Sequence, residues 1–215
     1  SLDTVNSVTG TDEVVFPNGN GTEGSPYEVS SAVQLYAMRY DLDAHYKLTA
    51  DIDVGETFDM DMGEVHYNLW RPIGAVTPSD FNQEGSLKDG KAFTGSLDGD
   101  SKSISNVTVL DDGTLIGVGL FGVTAGTGTI KNLTLKDVTV TGTESAMTVG
   151  GLVGYTMSPN TVIENVTLTT DKLPQNVITG KVCVGGLVGG GTSPNNCTVE
   201  STTVNLFGDN TVGDD

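Results

Sequence analysis

The residues of this chain whose types could do chemistry are two histidines, a cluster of carboxylates and a set of aromatics. His45 and His66 are the only imidazoles. Zinc hydrolysis needs two of them on one helical face with a carboxylate between, and each histidine stands alone with no second ligand at metal spacing. No Gly-x-Ser-x-Gly elbow raises a serine nucleophile, so each histidine reads as a surface residue. Carboxylates are denser, because Asp51, Asp53, Asp59, Asp61 and Glu64 lie close together. A glycosidase needs carboxylates that converge, whereas Asp51 and Asp53 fall in an alternating stretch and the other three in a loop. A lyase of acidic polysaccharides would want arginine or lysine at its substrate, and Arg39 and Arg71 are the only arginines. The loop carboxylates Asp59, Asp61 and Glu64 would suit Ca²⁺, which takes oxygens from flexible loops. Asp59-Met60-Asp61-Met62-Gly63-Glu64 nevertheless lacks the third ligand and the closing Glu of an EF-hand. Solvated loop charge is the plainer reading, and no cofactor is expected apart from that Ca²⁺ option.

The aromatics Tyr27, Tyr36, Tyr40, Tyr46, Phe58, Tyr67, Trp70, Phe81 and Phe93 crowd the N-terminal part. Exposed Tyr and Trp pack their flat faces on sugar rings, which makes Tyr67 and Trp70 the candidate ligand-binding residues. Tyr67 lies in the loop and is the better exposed of the two. Trp70, in Trp-Arg-Pro-Ile-Gly, also fits a core position.

The elements that must position these residues are short strands. Gly, Thr, Ser, Asn and Asp dominate the polar residues, Gly alone numbering 29, a composition of strands and tight turns. Lys and Arg total 10 against 28 Asp and Glu, a net charge of −18, so the clustered cations that nucleic acid requires are absent. No apolar run approaches the length of a membrane-spanning helix. The Ser1-Leu2-Asp3 start has no signal-peptide pattern, so any export signal or anchor is expected to have been removed already. Cys183 and Cys197 are too few for a disulfide scaffold, and one bridge between them stays open.

Self-similarity decides the fold. Gly119-Leu120-Phe121-Gly122 recurs as Gly151-Leu152-Val153-Gly154 and Gly186-Leu187-Val188-Gly189. A second phrase follows: Ile130-Lys131-Asn132-Leu133-Thr134-Leu135, Ile163-Glu164-Asn165-Val166-Thr167-Leu168, the degraded Asn195-Asn196-Cys197-Thr198-Val199, and an earlier copy at Ile104-Ser105-Asn106-Val107-Thr108-Val109. A unit of roughly 30 residues with three short strands cannot bury its own apolar face, but stacked units about 4.8 Å apart can pair strand on strand. The expected fold is all-β, a right-handed parallel β-helix with three short strands per coil. Along it Leu133, Leu135, Val138 and Val140 face inward, and Asp137 takes up a break in phase. Asn106, Asn132, Asn165 and Asn196 are expected at sharp bends, stacked into one ladder, because Asn tolerates the left-handed conformation. These positions also read Asn-x-Thr, the glycan acceptor pattern, but the repeat accounts for them without glycosylation.

Upstream, Ser31 and Gln34 have capping-box spacing before Leu35, Met38 and Leu42, which predicts a short helix over 31–43 that caps the coil end. Tyr46 to Val54 alternates as the first strand. The division is an N-terminal extension at 1–21, capping helix and first strand at 22–54, a long loop excursion at 55–92 and coils over 93–215, the last cut short.

The Gly-Leu-Phe-Gly and Ile-x-Asn phrases resemble the GLUG-type repeats of bacterial surface proteins. Gly24-Ser25-Pro26-Tyr27, Leu48-Thr49-Ala50-Asp51-Ile52-Asp53, Trp70-Arg71-Pro72-Ile73-Gly74 and Phe93-Thr94-Gly95-Ser96-Leu97-Asp98-Gly99 resemble the lead-in to such arrays. The resemblance covers most of residues 22–204. It implies an extracellular, adhesin-like module, of a kind found in gut Bacteroidetes and in the non-catalytic N-terminal region of IgA-protease-type metallopeptidases. A host glycan or surface protein would be its partner, alongside further domains of the same polypeptide. Expected activity is binding or spacing without catalysis. A polysaccharide-processing enzyme, or the ancillary domain of a surface peptidase, is the alternative.

Overall fold

The alternation of Leu133, Leu135, Val138 and Val140 with polar residues becomes one long bent strand in the computed structural model, which describes residues 16–57 and 70–206. In chain order the elements begin with β1 (Tyr27–Val29), α1 (Ala32–Ala37), β2 (His45–Leu48), β3 (Ile52–Asp53), the single turn α2 (Val54–Thr57) and β4 (Ser96–Leu110). The first repeat adds β5 (Gly117–Val118), β6 (Phe121–Thr124) and β7 (Thr129–Thr141). The second has β8 (Thr148–Gly150), β9 (Val153–Thr156), β10 (Val162–Thr169) and β11 (Asn176–Gly180). The third has β12 (Cys183–Gly185), β13 (Val188–Gly190), β14 (Thr198–Val199) and β15 (Thr202–Leu206).

These strands form three ladders. The largest runs β1-β2-β4-β7-β10-β14, with β3 on β4, β11 on β7 and β15 on β11; the others run β5-β8-β12 and β6-β9-β13. Pairing is parallel between equivalent residues of successive repeats, such as Leu133 with Val166, Val118 with Val149 and Phe121 with Val153. Equivalent apolar residues therefore stack in inward rows. One row is Tyr27, Tyr46, Leu97, Ile130 and Ile163, and another is Ile104, Leu135 and Leu168. All of these except Tyr27, which is partly buried, lie in one fully buried core. Each such side chain removed from water contributes about 1.5–3 kcal/mol. The chain is thus all-β apart from its short helices, with parallel sheets.

The third strand of each repeat is not uniformly short. β4 has 15 residues and β7 has 13, because sharp bends turn the strand without breaking it. Pro72-Ile73-Gly74 extends the third ladder upward: Ile73 bridges Phe121 in parallel, and the Gly122 N–H donates to the Ile73 carbonyl at 2.8 Å. This segment is a weak copy of Leu120-Phe121-Gly122 lying inside the excursion read over 55–92. Residues 58–69 of that excursion lie outside the described residues.

The helix is shorter than its periodicity predicts. α1 ends at Ala37 and tightens into a 3-10 turn over Met38–Tyr40. Beyond it Asp41 leaves helical geometry (φ −142°, ψ 83°), its carbonyl accepts the Tyr46 hydroxyl at 2.7 Å and the Leu42 carbonyl accepts the N–H groups of Thr94 and Gly95, so the chain from Asp41 onward is tied to the strands. Ser31 Oγ accepts from the Gln34 N–H at 3.2 Å, whereas Gln34 Oε1 reaches one residue past a capping box, accepting from Ser30 N at 2.7 Å. The pairing of β1 with β2 shows that the stack already runs before the helix, from Tyr27 among the described residues.

Where β9 passes under β5 the backbones touch without side chains between them. A Cβ on Gly154 would stand 2.3 Å from Val118 N, and one on the equivalent Gly189 2.5 Å from Val149 N. Both atoms are backbone, so nothing can swing aside. Gly154→Ala is expected to lower unfolding free energy by about 1–3 kcal/mol in urea. Gly24→Ala, whose added carbon meets nothing within 4 Å, should change it by less than about 0.5 kcal/mol.

Candidate functional site

The four bend asparagines all adopt positive φ: Asn106 58°, Asn132 56°, Asn165 53° and Asn196 49°. They do not form one ladder. Val107 pairs with Val138 and Leu133 with Val166, so Asn132, Asn165 and Asn196 share one corner while Asn106 shares another with Asp137, whose φ is 56°. In the first column Asn165 Nδ2 donates to Asn132 Oδ1 at 3.2 Å, Asn196 Nδ2 donates to Asn165 Oδ1, and Asn132 Nδ2 donates upward to Asp98 Oδ1 at 3.1 Å. In the second, Asn106 Nδ2 donates to Asp53 Oδ2 at 2.9 Å. The Ile104-Ser105-Asn106 phrase is a false friend, since in register it matches Leu135-Lys136-Asp137. The true match to Ile130-Lys131-Asn132 is Leu97-Asp98-Gly99, where a register shift follows Asp98.

Correct registration uncovers an outward row that the sequence shows only as the variable middle residue of each phrase. Glu28 pairs with Lys47, Lys47 with Asp98, Asp98 with Lys131, Lys131 with Glu164, and Glu164 bridges Asn195. From Glu28 to Glu164 charge alternates at every step. Lys131 Nζ lies 3.8 Å from Asp98, Lys47 Nζ 3.5 Å from Asp100, and Asn195 Nδ2 donates to Glu164 Oε1 at 3.1 Å. Beside this row runs a groove of about 350 Å³, lined by Glu23, His45, Lys47, Ser96, Asp98 and Lys131 among others. His45 Nδ1 shares a 2.7 Å hydrogen bond with Ser96 Oγ across β2 and β4, so this histidine faces the groove from a strand.

Asp51 and Asp53, two of the carboxylates considered for hydrolysis, serve the stack. Asp51 accepts from Ser103 N at 2.8 Å and Ser103 Oγ at 3.1 Å, and those bonds hold its pKa below the ordinary carboxylate value. Asp53 accepts from Gly55 N at 2.8 Å as well as from Asn106. Asp59, Asp61, Glu64, Tyr67 and His66 lie outside the described residues. Among the described residues no three His, Cys, Asp or Glu side chains gather as a metal site would require.

Trp70 is a core residue and not a sugar platform. It is 2% exposed, its Nε1 donates to the Leu120 carbonyl at 3.0 Å, and Tyr36 stands edge-on against it with ring centroids 5.8 Å apart. Arg39 covers the assembly, its guanidinium 3.5 Å above the Tyr36 ring and 5.4 Å from that of Trp70. Arg39 Nε donates to the Tyr36 carbonyl and Nη2 to that of Arg71, both at 2.8 Å, and burial lowers its pKa to about 10. Arg71 in turn pairs with Asp112 at 3.4 Å. Both arginines that a lyase would want at its substrate are thus engaged with the protein. Cys183 and Cys197 are free thiols, Cys183 exposed on β12 and Cys197 partly buried against the Ile163 carbonyl.

No family model matches the chain. Over 174 residues it is 36% identical to halomucin of Haloquadratum walsbyi, a match that covers 80% of this chain and 2% of halomucin. Over 165 residues it is 31% identical to a candidate Gly-rich membrane protein of Evansella cellulosilytica, covering 75% of this chain and 16% of that protein. The chain therefore spans a small part of the relatives it matches. A solved structure of a candidate immunoglobulin A1 protease from Bacteroides ovatus is similar over 89% of this chain and 60% of its own, with 18% identity and a TM-score of 0.48. Among the described residues no helix is long and apolar enough to cross a membrane.

Two outcomes test this face. Asn165→Ala should cost about 1–2 kcal/mol of unfolding free energy and Asn165→Gly less than half of that, because glycine keeps the left-handed bend and loses only the amide bonds. Lys131→Glu places three acids side by side on adjacent strands and should cost about 0.5–1 kcal/mol, with the double change Lys131→Glu, Glu164→Lys recovering part of the loss in a double-mutant cycle.

Proposed function

We propose that the chain is a non-catalytic module of a cell-surface or secreted protein, built as coils of a right-handed parallel β-helix of the GLUG-repeat kind. In this reading it is adhesin-like, presenting its outer faces to a glycan or surface protein and spacing other parts of the same polypeptide. The observation that carries the reading is the in-register parallel stack. It places one residue from every repeat in line on each outer face, a geometry suited to presenting an extended surface and not to gathering a catalytic cluster. The relatives add support, since one bears the name of a mucin and the other that of a membrane protein. A net charge of −18 keeps such a surface solvated and self-repelling. Calcium at Asp59, Asp61 and Glu64, and ligand contact by Tyr67, remain part of this proposal.

A screen of the chain against a glycan array and acidic polysaccharides, with and without Ca²⁺, tests the reading. The expected outcome is retention of a ligand with no release of reducing or unsaturated ends. Release that persists through repurification would replace the module with an enzyme.

A further inference from the structure

A second concavity, different in character from the charged groove, lies on the outer face of the β6-β9-β13 ladder. Three residues share one outward column there: Val123 pairs with Tyr155, and Tyr155 with Gly190. The excursion covers the first of them. Val123 is buried with Val76 and Ala92, and Phe81 and Leu87 pack on that small cluster. Tyr155 packs against its margin and is only partly buried. Gly190 then leaves the ring's flank open, since a Cβ added there would stand 3.5 Å from Tyr155 Cδ2. A groove of about 440 Å³ results, lined by Tyr155, Met157, Ser158, Pro159, Gly191 and Thr192 and by Thr156 at its base.

The groove walls are tied together by the stack. Met157 N donates to the Thr124 carbonyl at 2.8 Å, Thr192 Oγ1 to the Ser158 carbonyl at 3.1 Å, and the Thr192 N–H to Thr156 Oγ1. The lining holds no carboxylate, amine or imidazole, although the chain carries 28 acids and 10 bases. Anions are disfavoured there by the field of the whole chain, and a cation would find carboxylates elsewhere on the surface. What remains is a flat aromatic ring with an adjacent thioether and proline, flanked by hydroxyls and backbone polar groups.

We propose that this groove binds a neutral saccharide, with the apolar face of a sugar ring against Tyr155 and Met157 and its hydroxyls exchanging hydrogen bonds with Ser158 and Thr192. This inference rests on the binding-module reading and names the ligand class for one of its faces. The groove volume lies near the lower end for ligand pockets, which fits one or two sugar rings. Its openness to solvent makes the binding weak, so affinity on a surface would come from many copies engaging at once.

Titration of the protein with glucose, galactose, mannose, N-acetylglucosamine, cellobiose and chitobiose, followed by NMR, tests it. At least one of these should saturably shift the Tyr155 ring signals and the amides of Gly190 to Thr192. Tyr155→Ala should weaken that binding about three- to tenfold while Tyr155→Phe stays within about twofold, since stacking and not the hydroxyl carries the contact. Gly190→Ala, whose methyl would meet Thr148 Cγ2 tightly at 3.1 Å and lie in ordinary contact with Tyr155 Cδ2 at 3.5 Å, covers the ring's flank without removing the ring, so it should also weaken binding and guards against a Tyr155→Ala protein that folds poorly. Lys131→Glu, on the other face, should have no effect. The proposal is overturned if no neutral sugar shifts these signals, if Tyr155→Ala and Gly190→Ala bind as well as the parent, or if glucuronate binds there more tightly than glucose. Carbohydrate binding retained in both variants would remove this groove and leave the binding-module reading standing. Turnover of a sugar bound at Tyr155 would do the reverse.

Discussion

Everything in this molecule depends on the hydrogen bonds that one repeat makes to the next. A strand as short as Gly117–Val118 or Thr198–Val199 has no means of satisfying its own backbone groups, and its partners lie on the neighbouring repeat. Parallel pairing of equivalent residues then follows with an unavoidable corollary: whatever a repeat carries at one position, it must place against the same position above and below. Apolar side chains stack on apolar side chains, bends on bends, and glycine where two backbones cross. The regularity of the sequence is the regularity of those contacts.

That rule explains how much was legible beforehand. Strand composition, parallel stacking and the inward set from Leu133 to Val140 could be read because each recurs in several copies, so chance resemblance is averaged away. The alignment of the first copy could not. Ile104-Ser105-Asn106 and Ile130-Lys131-Asn132 look alike because both spell strand, bend, strand, and β7 contains two such bends, at Asn132 and at Asp137, the second of which shows in the sequence only as a break in phase. Pro72-Ile73-Gly74 escaped for the opposite reason, since it keeps the shape of its repeat with little of the wording. Trp70 was ambiguous because an indole serves a sugar face and a core equally well until its Nε1 is seen to find the Leu120 carbonyl.

The N-terminal end of the apolar row is handled by different chemistry from the middle. Aliphatic residues fill the interior of the row headed by Tyr27, while its upper end is aromatic, with Phe16, Tyr27 and Tyr46 in mutual ring contact at centroid distances of 4.8–5.8 Å. Large rings bury much apolar area at this end of the row. α1 adds Leu35 and Met38 to the same core, so helix and rings share the closure. Arg39 extends the arrangement outward by laying a flat, weakly hydrated cation over Tyr36 and Trp70.

The alternating outward charges have a consequence for how such a chain can change its length over evolution. Reading Glu28, Lys47, Asp98, Lys131 and Glu164 down the stack, the sign repeats every second rung. Duplication or loss of a single rung brings two like charges into contact, whereas duplication or loss of two together leaves every neighbour opposite in sign. The electrostatic penalty is small for one event, yet it acts at every recombination, so the row favours growth in pairs. Copy number in such arrays would then carry a parity, written in one column of surface residues.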